Sequence, residues 1–434
     1  MKVTIYAKDC TQRLQYICSF IFGDLMGIEC DFLNTPTEFK NVEGIKINYS
    51  NSTVCEKEFH LLPVDILFQK NILPQIIECF ETANGKAFFK TPTADFPFDI
   101  FAASFYLLSR YEEYLPHKKD MYGRYAHENS LAFREDFLAT PLINFWVIDF
   151  IKAIQQKFPF FNPAEKTFSF IPTYDIDIAF SYQHKGLFRN LGGFLQSPSL
   201  ERIEILLGTK KDPFDTYDLL DELHKKYSLY PIYFFLLTGK KGAYDKNILP
   251  STKAMQQLVK SHAEKYTVGI HPSWQSGDDA SLLKTEIESL KQMSGQEVIL
   301  SRQHYIRFNL PEVYRLLLRE GISGDYSMGY GSMNGFRASV AASFNWYDLE
   351  KDEVTSLRIH PFCFMEANSF YEQKLTAEEA YKELMTYHLT CKKVNGTLIT
   401  VWHNHMIGPD KLYHGWGVMY QKFLAAITQP VITL

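Results

Sequence analysis

The pattern of apolar positions changes character near residue 160. Before it, short apolar stretches at residues 3–7 and 45–49 mix with helical patterns, and FAASFYLLSRYEEYL at 101–115 puts its apolar side chains on one helical stripe. Glu112 and Glu113, framed by Tyr111 and Tyr114, read as a solvated helix end in preference to an acid–base pair. Pro159 and Pro163 mark a linker. From residue 166 onward, apolar strands alternate with amphipathic helices. FSFIPTYDID, PIYFFLLTG, TVGIHPS, EVILSRQHYIRF, GISGDYS, TSLRIHPFCFM and GTLITVWHNH are seven strand segments, starting near residues 168, 231, 267, 297, 321, 355 and 396. Helices are predicted near 215–227, from Ser251, from Ala280, at 311–320 and from Ala377. Largely apolar strands in alternation with helices predict an α/β fold with a parallel sheet, covered on both faces or closed on itself. Seven units favour a distorted (β/α)7 barrel over residues 166–434, preceded by a smaller α/β domain over 1–160.

Polar residues gather at the C-terminal ends of these strands. The first segment ends in Thr173, Asp175 and Asp177; the third in His271; the fourth carries Arg302 and His304. The fifth has Asp325, the sixth His360, and the seventh His403 and His405. In a parallel α/β barrel that rim is where active sites are built. A lone Asp or His buried there costs several kcal/mol unless it finds a partner or a metal. Asp175 and Asp177 share one strand face at period two, and two such like charges persist when a cation or an Arg lies between them. Arg302 is suited to pairing with an Asp. Three of the thirteen histidines precede residue 150 and ten follow it.

Composition narrows the classes. The chain of 434 residues is 46% hydrophobic and 22% charged, the balance of an ordinary globular protein. Its 45 Lys and Arg against 50 Asp and Glu give a net charge of −5, which argues against a polybasic nucleic-acid binder. The 15% aromatic content suits sugar stacking, or simply a large core. Seven cysteines without a CxxC pair, five of them before residue 80, do not read as a disulfide framework and favour a reducing compartment. The first apolar stretch is broken by Lys8, Asp9 and Arg13, so no signal peptide is read, and a cytoplasmic protein is expected. The apolar run at 233–237 is far short of the ~18–20 residues that span a bilayer. The Gly-rich run 324–335 lacks phosphate-loop spacing and reads as a substrate or surface loop.

The second half resembles the polysaccharide deacetylase family (the NodB-homology fold, carbohydrate esterase family four) over about residues 166–434. Thr173-Tyr-Asp175-Ile-Asp177 resembles the family's first motif, T-F-D-D. Gly269-Ile-His271-Pro-Ser resembles the closing H-P of its second motif, Ser301-Arg302-Gln-His304-Tyr305 its Arg-bearing motif, and Leu398-Ile-Thr-Val-Trp402-His403 its last. The first half is similar to an uncharacterised domain that accompanies such deacetylases, through FYLLSRYEEYLP. The resemblance implies a deacetylase-type barrel, Asp175 as general base and Asp177 as ligand of a divalent metal, with zinc the expected ion. The second motif is incomplete: its other histidine would fall at Thr267 or Gln275. His304 is the candidate third ligand beside Asp177 and His271, with His360 in reserve.

On this reading Arg302 orients Asp175, and His403, or else His405, gives a proton to the leaving nitrogen of an N-acetylated amino sugar. Trp274, Tyr330 and Trp402 are candidates for stacking on sugar rings, with packing as the alternative. Two rival readings are a metal amidohydrolase acting on a non-sugar acyl amide and an inactive barrel that binds glycan or scaffolds an assembly.

Overall fold

A computed structural model describes residues 1–186, 190, 191, 195, 199–240 and 242–428. The N-terminal part is built on four parallel strands, β1 (Lys2–Tyr6), β2 (Glu29–Leu33), β3 (Ile45–Tyr49) and β4 (Phe59–Leu61), in the order β2-β1-β3-β4. All five residues of β3 are buried, as expected of a strand covered on both faces. A hairpin, β5 (Phe80–Thr82) and β6 (Gly85–Ala87), follows, then the helices Ile100–Leu108 and Leu142–Lys157.

The second part is a nine-stranded sheet. Its strands are β7 (Ser169–Ile176), β8 (Ile232–Phe235), β9 (Thr267–Ile270), β10 (Leu300–Ser301), β11 (Gly324–Asp325), β12 (Phe344–Asp348), β13 (Glu353–Ile359), β14 (Phe364–Met365) and β15 (Thr397–His403). They lie in the order β12-β13-β11-β10-β9-β8-β7-β15-β14, and every pairing is parallel except β12 with β13. The seven predicted segments all contain strands. The antiparallel edge strand β12 was not anticipated.

The sheet curls strongly. Arg302, just past β10, reaches Asp175 on β7 at 2.9 Å. Three strand spacings of about 4.8 Å separate these strands along the sheet, so a flat sheet could not bring them together. Gly269 on β9 permits the curl: a Cβ there would stand 2.6 Å from the Phe234 ring and 2.9 Å from the Leu300 carbonyl.

The predicted barrel closure is not made. Among the described residues no ladder joins β13 to β14. The connecting chain instead bonds elsewhere: His360 N–H to Asp325 O (2.8 Å), Phe362 N–H to Met328 O (3.2 Å) and Cys363 N–H to Ile399 O (3.3 Å). Pro361 has no N–H to offer. The sixth predicted segment is thereby split into two strands, and the trough stays open on that side.

Glu112 and Glu113 correct the reading of a solvated helix end. Arg110 adopts a left-handed backbone (φ +56°) after the helix and turns both carboxylates inward, where they are buried. Glu113 accepts from Arg110 Nε (2.7 Å) and from Arg337 Nε (2.8 Å) and Nη2 (2.6 Å), and Glu112 accepts from Arg110 Nη2 (2.9 Å). Further ties between the two parts run from buried Arg13 to Asp352 (2.7 Å) and from Tyr16 Oη to the Asn345 carbonyl (2.7 Å). Buried apolar side chains form one cluster that includes both sheets. Among the described residues no helix is long and apolar enough to cross a membrane.

Burial alone would raise the Glu113 carboxyl, but Arg337 and Arg110 hold it down at about 2. Its stabilisation is therefore full above the ordinary glutamate value near 4.5 and lost as pH falls toward 2. Glu113→Ala leaves two buried guanidinium groups short of a partner and is expected to cost roughly 3–5 kcal/mol at neutral pH in urea denaturation. A loss below about 1 kcal/mol would mean that the cluster behaves as an exposed pair.

Candidate metal and catalytic centre

The strand ends of β7, β9, β10 and β15 bring the centre together. β15 pairs with β7 so that His403 lies beside Asp175 and Trp402 beside Tyr174. Alternation then sends His403 and Asp175 to the inner face and Trp402 and Tyr174 to the outer one. Asp177 follows two residues after Asp175. His271 follows β9, and Arg302 and His304 follow β10.

Three imidazoles converge on Asp177 through Nε2. His271 lies 3.1 Å from Oδ1, and His304 and His403 each lie 3.4 Å from Oδ2. Each ring is fixed from behind through Nδ1: His271 to the Arg302 carbonyl (2.5 Å), His304 to Asp245 (2.9 Å) and His403 to Glu366 (2.9 Å). The Glu366 carboxylate also accepts from the His403 backbone N–H. Rings held this way present Nε2 to a common point, the arrangement by which outer partners orient metal-binding histidines.

Asp175 is buried beside this cluster. It accepts from Arg302 Nη1 (2.9 Å), and its other oxygen is 3.8 Å from His271 Nε2. Arg302 also donates to Thr173 Oγ1 (2.7 Å) and the Tyr326 carbonyl (3.0 Å).

Ligand atoms of Asp177, His271 and His304 lie within 4.8 Å of one another, close enough to share one ion. Asp177 Oδ1 is buried, and although His271 Nε2 stands 3.1 Å from it, no donor is aligned on it as a hydrogen bond requires, so a cation would satisfy it. Two imidazoles and a carboxylate are donors suited to a divalent transition metal. The residues fit such an ion.

The electrostatics agree. Burial would raise the Asp177 carboxyl, yet His304, His403 and His271 keep it well below the carboxylate range. Burial would lower His304, but Asp177 and Asp245 push it up to about 9. His403 is likewise raised, against burial, by Glu366 and Asp177. Protons thus balance the carboxylates here, and a divalent cation would replace some of them.

Other predicted residues fall elsewhere. His405 lines the cavity, but burial and the neighbouring His403 depress it to about 3, so it is neutral and a poor proton donor. His360 is away from the centre: its Nδ1 meets Ser343 Oγ (2.8 Å) and its ring stacks on Tyr326 at 4.3 Å. Asp325 is spent on Ser327, bonding its N–H (2.9 Å) and hydroxyl (2.8 Å). Trp402 is a core residue on the outer face, its Nε1 bonded to Thr400 Oγ1 (3.0 Å), and Tyr330 is buried against Arg110 (3.3 Å). Trp274 does not line the cavity either; it backs Tyr244, whose ring stacks on it at 3.9 Å. Glu366 and Asp245 were missed. Glu366 directly follows β14, at the end of the sixth predicted segment, where only His360 had been picked out; Asp245 lies in the loop after β8, away from the end of any predicted segment.

Comparisons with known proteins add a limited amount. A family model described as a family of unknown function, DUF7033, matches residues 3–159. No curated protein matches the sequence. A Mycobacterium smegmatis protein assigned as a polysaccharide deacetylase is similar at 14% identity and a TM-score of 0.41, covering 62% of this chain and 86% of that one. The polysaccharide deacetylase of Bacillus cereus is similar at 12% identity and a TM-score of 0.31, over 61% of this chain and 89% of its own. A Bacillus anthracis pseudoenzyme of carbohydrate esterase family four is similar at 11% identity and a TM-score of 0.31, over 61% and 63%. These scores are too low to assign chemistry, which has to be read from the side chains.

If Asp177, His271 and His304 hold one ion, the purified chain should retain about one divalent metal by elemental analysis, and Asp177→Ala and His304→Ala should lose it. Asp245→Asn should weaken affinity roughly 10–100-fold in chelator competition, while His403→Ala keeps the metal. Full affinity in His304→Ala would remove that residue from the ligand set.

Proposed function

We propose that the protein is a metal-dependent hydrolase that removes N-acetyl groups from an amino-sugar-containing glycan or glycan precursor, with zinc as the ion. The observation that carries this reading is the convergence of His271, His304 and His403 on Asp177, beside an Asp175 tethered by Arg302. Asp177, His271 and His304 would hold the ion, which when bound supplies Lewis acidity for acyl hydrolysis.

Hydrolysis breaks the amide C–N bond, adds water's oxygen to the acyl carbon and delivers a proton to nitrogen. Asp175 takes the proton from the attacking water; Arg302 orients its carboxylate. His403 delivers a proton to the departing nitrogen. Glu366 supports that role twice over, raising the basicity of His403 so that it is protonated at neutral pH and fixing its ring through Nδ1. His405, depressed to about 3, has no proton to give at that pH. The cytoplasmic location expected from the cysteine pattern is part of the same reading, and favours a soluble or precursor amino sugar over finished cell wall.

Acetate release from N-acetylated oligosaccharides by the metal-loaded chain tests the reading. Asp175→Asn should keep its metal and lose turnover by roughly 10²–10⁴-fold, the scale of a lost general base. Asp177→Ala should lose both. Turnover persisting in metal-free Asp177→Ala would overturn the assignment, as would a metal-loaded wild type that releases no acetate from any N-acetylated sugar.

A further inference from the structure

The chain between residues 116 and 127 leaves the N-terminal part and crosses to the cavity of the candidate centre. It forms a tight turn around Asp120, whose carboxylate accepts from the backbone N–H of Tyr122 (2.9 Å) and Arg124 (3.0 Å) and from Arg124 Nε (2.6 Å). Lys119 and Tyr125 bridge the base of the turn. Arg124 pins it to the rim by donating from Nη1 to the carbonyl of Tyr305 at 2.7 Å, the residue next to His304. That approach requires bare backbone at Gly331, where a Cβ would stand 2.0 Å from Arg124 Nη1. One glycine of the 324–335 run is therefore explained by the docking of this turn.

Pinning Arg124 places Tyr122 in the cavity wall. Its ring centroid lies 5.4 Å from Tyr305, 6.0 Å from Trp274 and 6.2 Å from Tyr244. With Tyr244 stacked on Trp274, the four rings form one continuous aromatic surface, and three of them, Tyr122, Tyr244 and Tyr305, line the cavity of the ligand cluster. Tyr122 itself is only half-buried, so part of its ring is open to a ligand. The cavity volume is about 550 Å³, within the roughly 300–1,000 Å³ of small-ligand sites.

We propose that this turn of the N-terminal part belongs to the substrate site: Tyr122 packs against the saccharide, and the aromatic wall stops it. The site then takes the terminal N-acetylated unit of a short saccharide and excludes internal units of a polymer running through. The proposal rests on the hydrolase reading and adds to it a substrate length and a purpose for the N-terminal part. Aromatic faces suit this role because a sugar's C–H face packs on a ring while its hydroxyls stay free for other partners.

The test uses the full chain loaded with metal, and N-acetylglucosamine oligomers of increasing length. The wild type should release acetate from one end unit per chain. Tyr122→Ala should raise KM roughly tenfold, consistent with losing one aromatic contact, and should release more acetate per chain on longer oligomers. Tyr122→Phe should behave as wild type, because the ring is what matters. Metal content and urea midpoint, measured on each variant, guard against a folding defect. Calorimetric binding of the same oligomers to Asp175→Asn, with and without Tyr122→Ala, separates the two ideas. Weaker binding on loss of Tyr122, with no acetate released by the wild type, supports the wall and overturns the hydrolase. Acetate release by both proteins with equal KM and equal acetate per chain supports the hydrolase and overturns the wall.

Discussion

The buried guanidinium of Arg302 is the interaction on which the second half depends. It is fully enclosed, yet it joins three separate strands: Nη1 binds Thr173 and Asp175 at β7, Nε binds the Tyr326 carbonyl after β11, and its own carbonyl accepts from His271 after β9. The ring of Phe234 on β8 lies under it at 4.6 Å. A cation taken out of water at this depth is tolerable only with close anionic and carbonyl partners. The strands must curl until those partners are reached, so one charge requirement contributes both to the curvature of the sheet and to the position of Asp175. The same residue orients His271, which ties the shape of the trough to the direction of Nε2.

What could be read from the sequence follows from this geometry. Strand ends carry a period-two signal, so Asp175, Asp177, His271, Arg302, His304 and His403 could each be found as a polar residue after an apolar run. Their convergence then needed only the parallel order of the strands. The same periodicity speaks against Trp402, one position before His403 and hence on the opposite face. Residues that act through others are harder to read. Asp245 sits in a connection whose path is set by tertiary packing, where a lone acidic residue looks like any surface carboxylate; Glu366 does follow an apolar run, but its place behind His403 is not visible in the order of residues along the chain. Closure of the sheet was equally hidden, because TSLRIHPFCFM reads as one strand unless the bonds of residues 360–363 to three other segments are known. Glu112 and Glu113 were misread for a related reason: Arg337, which pairs with Glu113, lies more than 220 residues away, and Glu112 is turned inward with it by the left-handed Arg110.

The Gly-rich loop shows how the two parts of the chain depend on each other. Arg337, held by Glu113, donates to the Gly329 carbonyl (3.0 Å); Arg110 meets the Tyr330 hydroxyl (3.3 Å); Arg124 packs over Gly331. Three arginines therefore clamp three consecutive residues, two of those arginines coming from the N-terminal part. Each is satisfied by a carboxylate from that part, Glu113, Glu112 or Asp120. A loop rich in glycine is expensive to order, and the clamp supplies fixed partners on both sides. It also accounts for the burial of Tyr330, which is taken up by this contact and unavailable as a sugar platform.

The proposed ligand set departs from the deacetylase motif that the sequence resembles, and the departure has a physical explanation. An ion responds to where Nε2 atoms stand and to how firmly their rings are held, whatever the spacing of histidines along the chain. Strands β9 and β10 are hydrogen-bonded neighbours, so residues just beyond their ends stand side by side, and the rings of His271 and His304 are 5.0 Å apart. A histidine after β10 can therefore face the same point as a second histidine on the loop after β9 would have. Its tether differs, though. His304 depends on Asp245, from the loop after β8, and that carboxylate is also held by the backbone N–H of Trp274 (3.1 Å). In the proposed site, affinity would thus rest on a loop contact behind the ligands, and the stacked pair of Tyr244 and Trp274 beside that contact would be coupled to it.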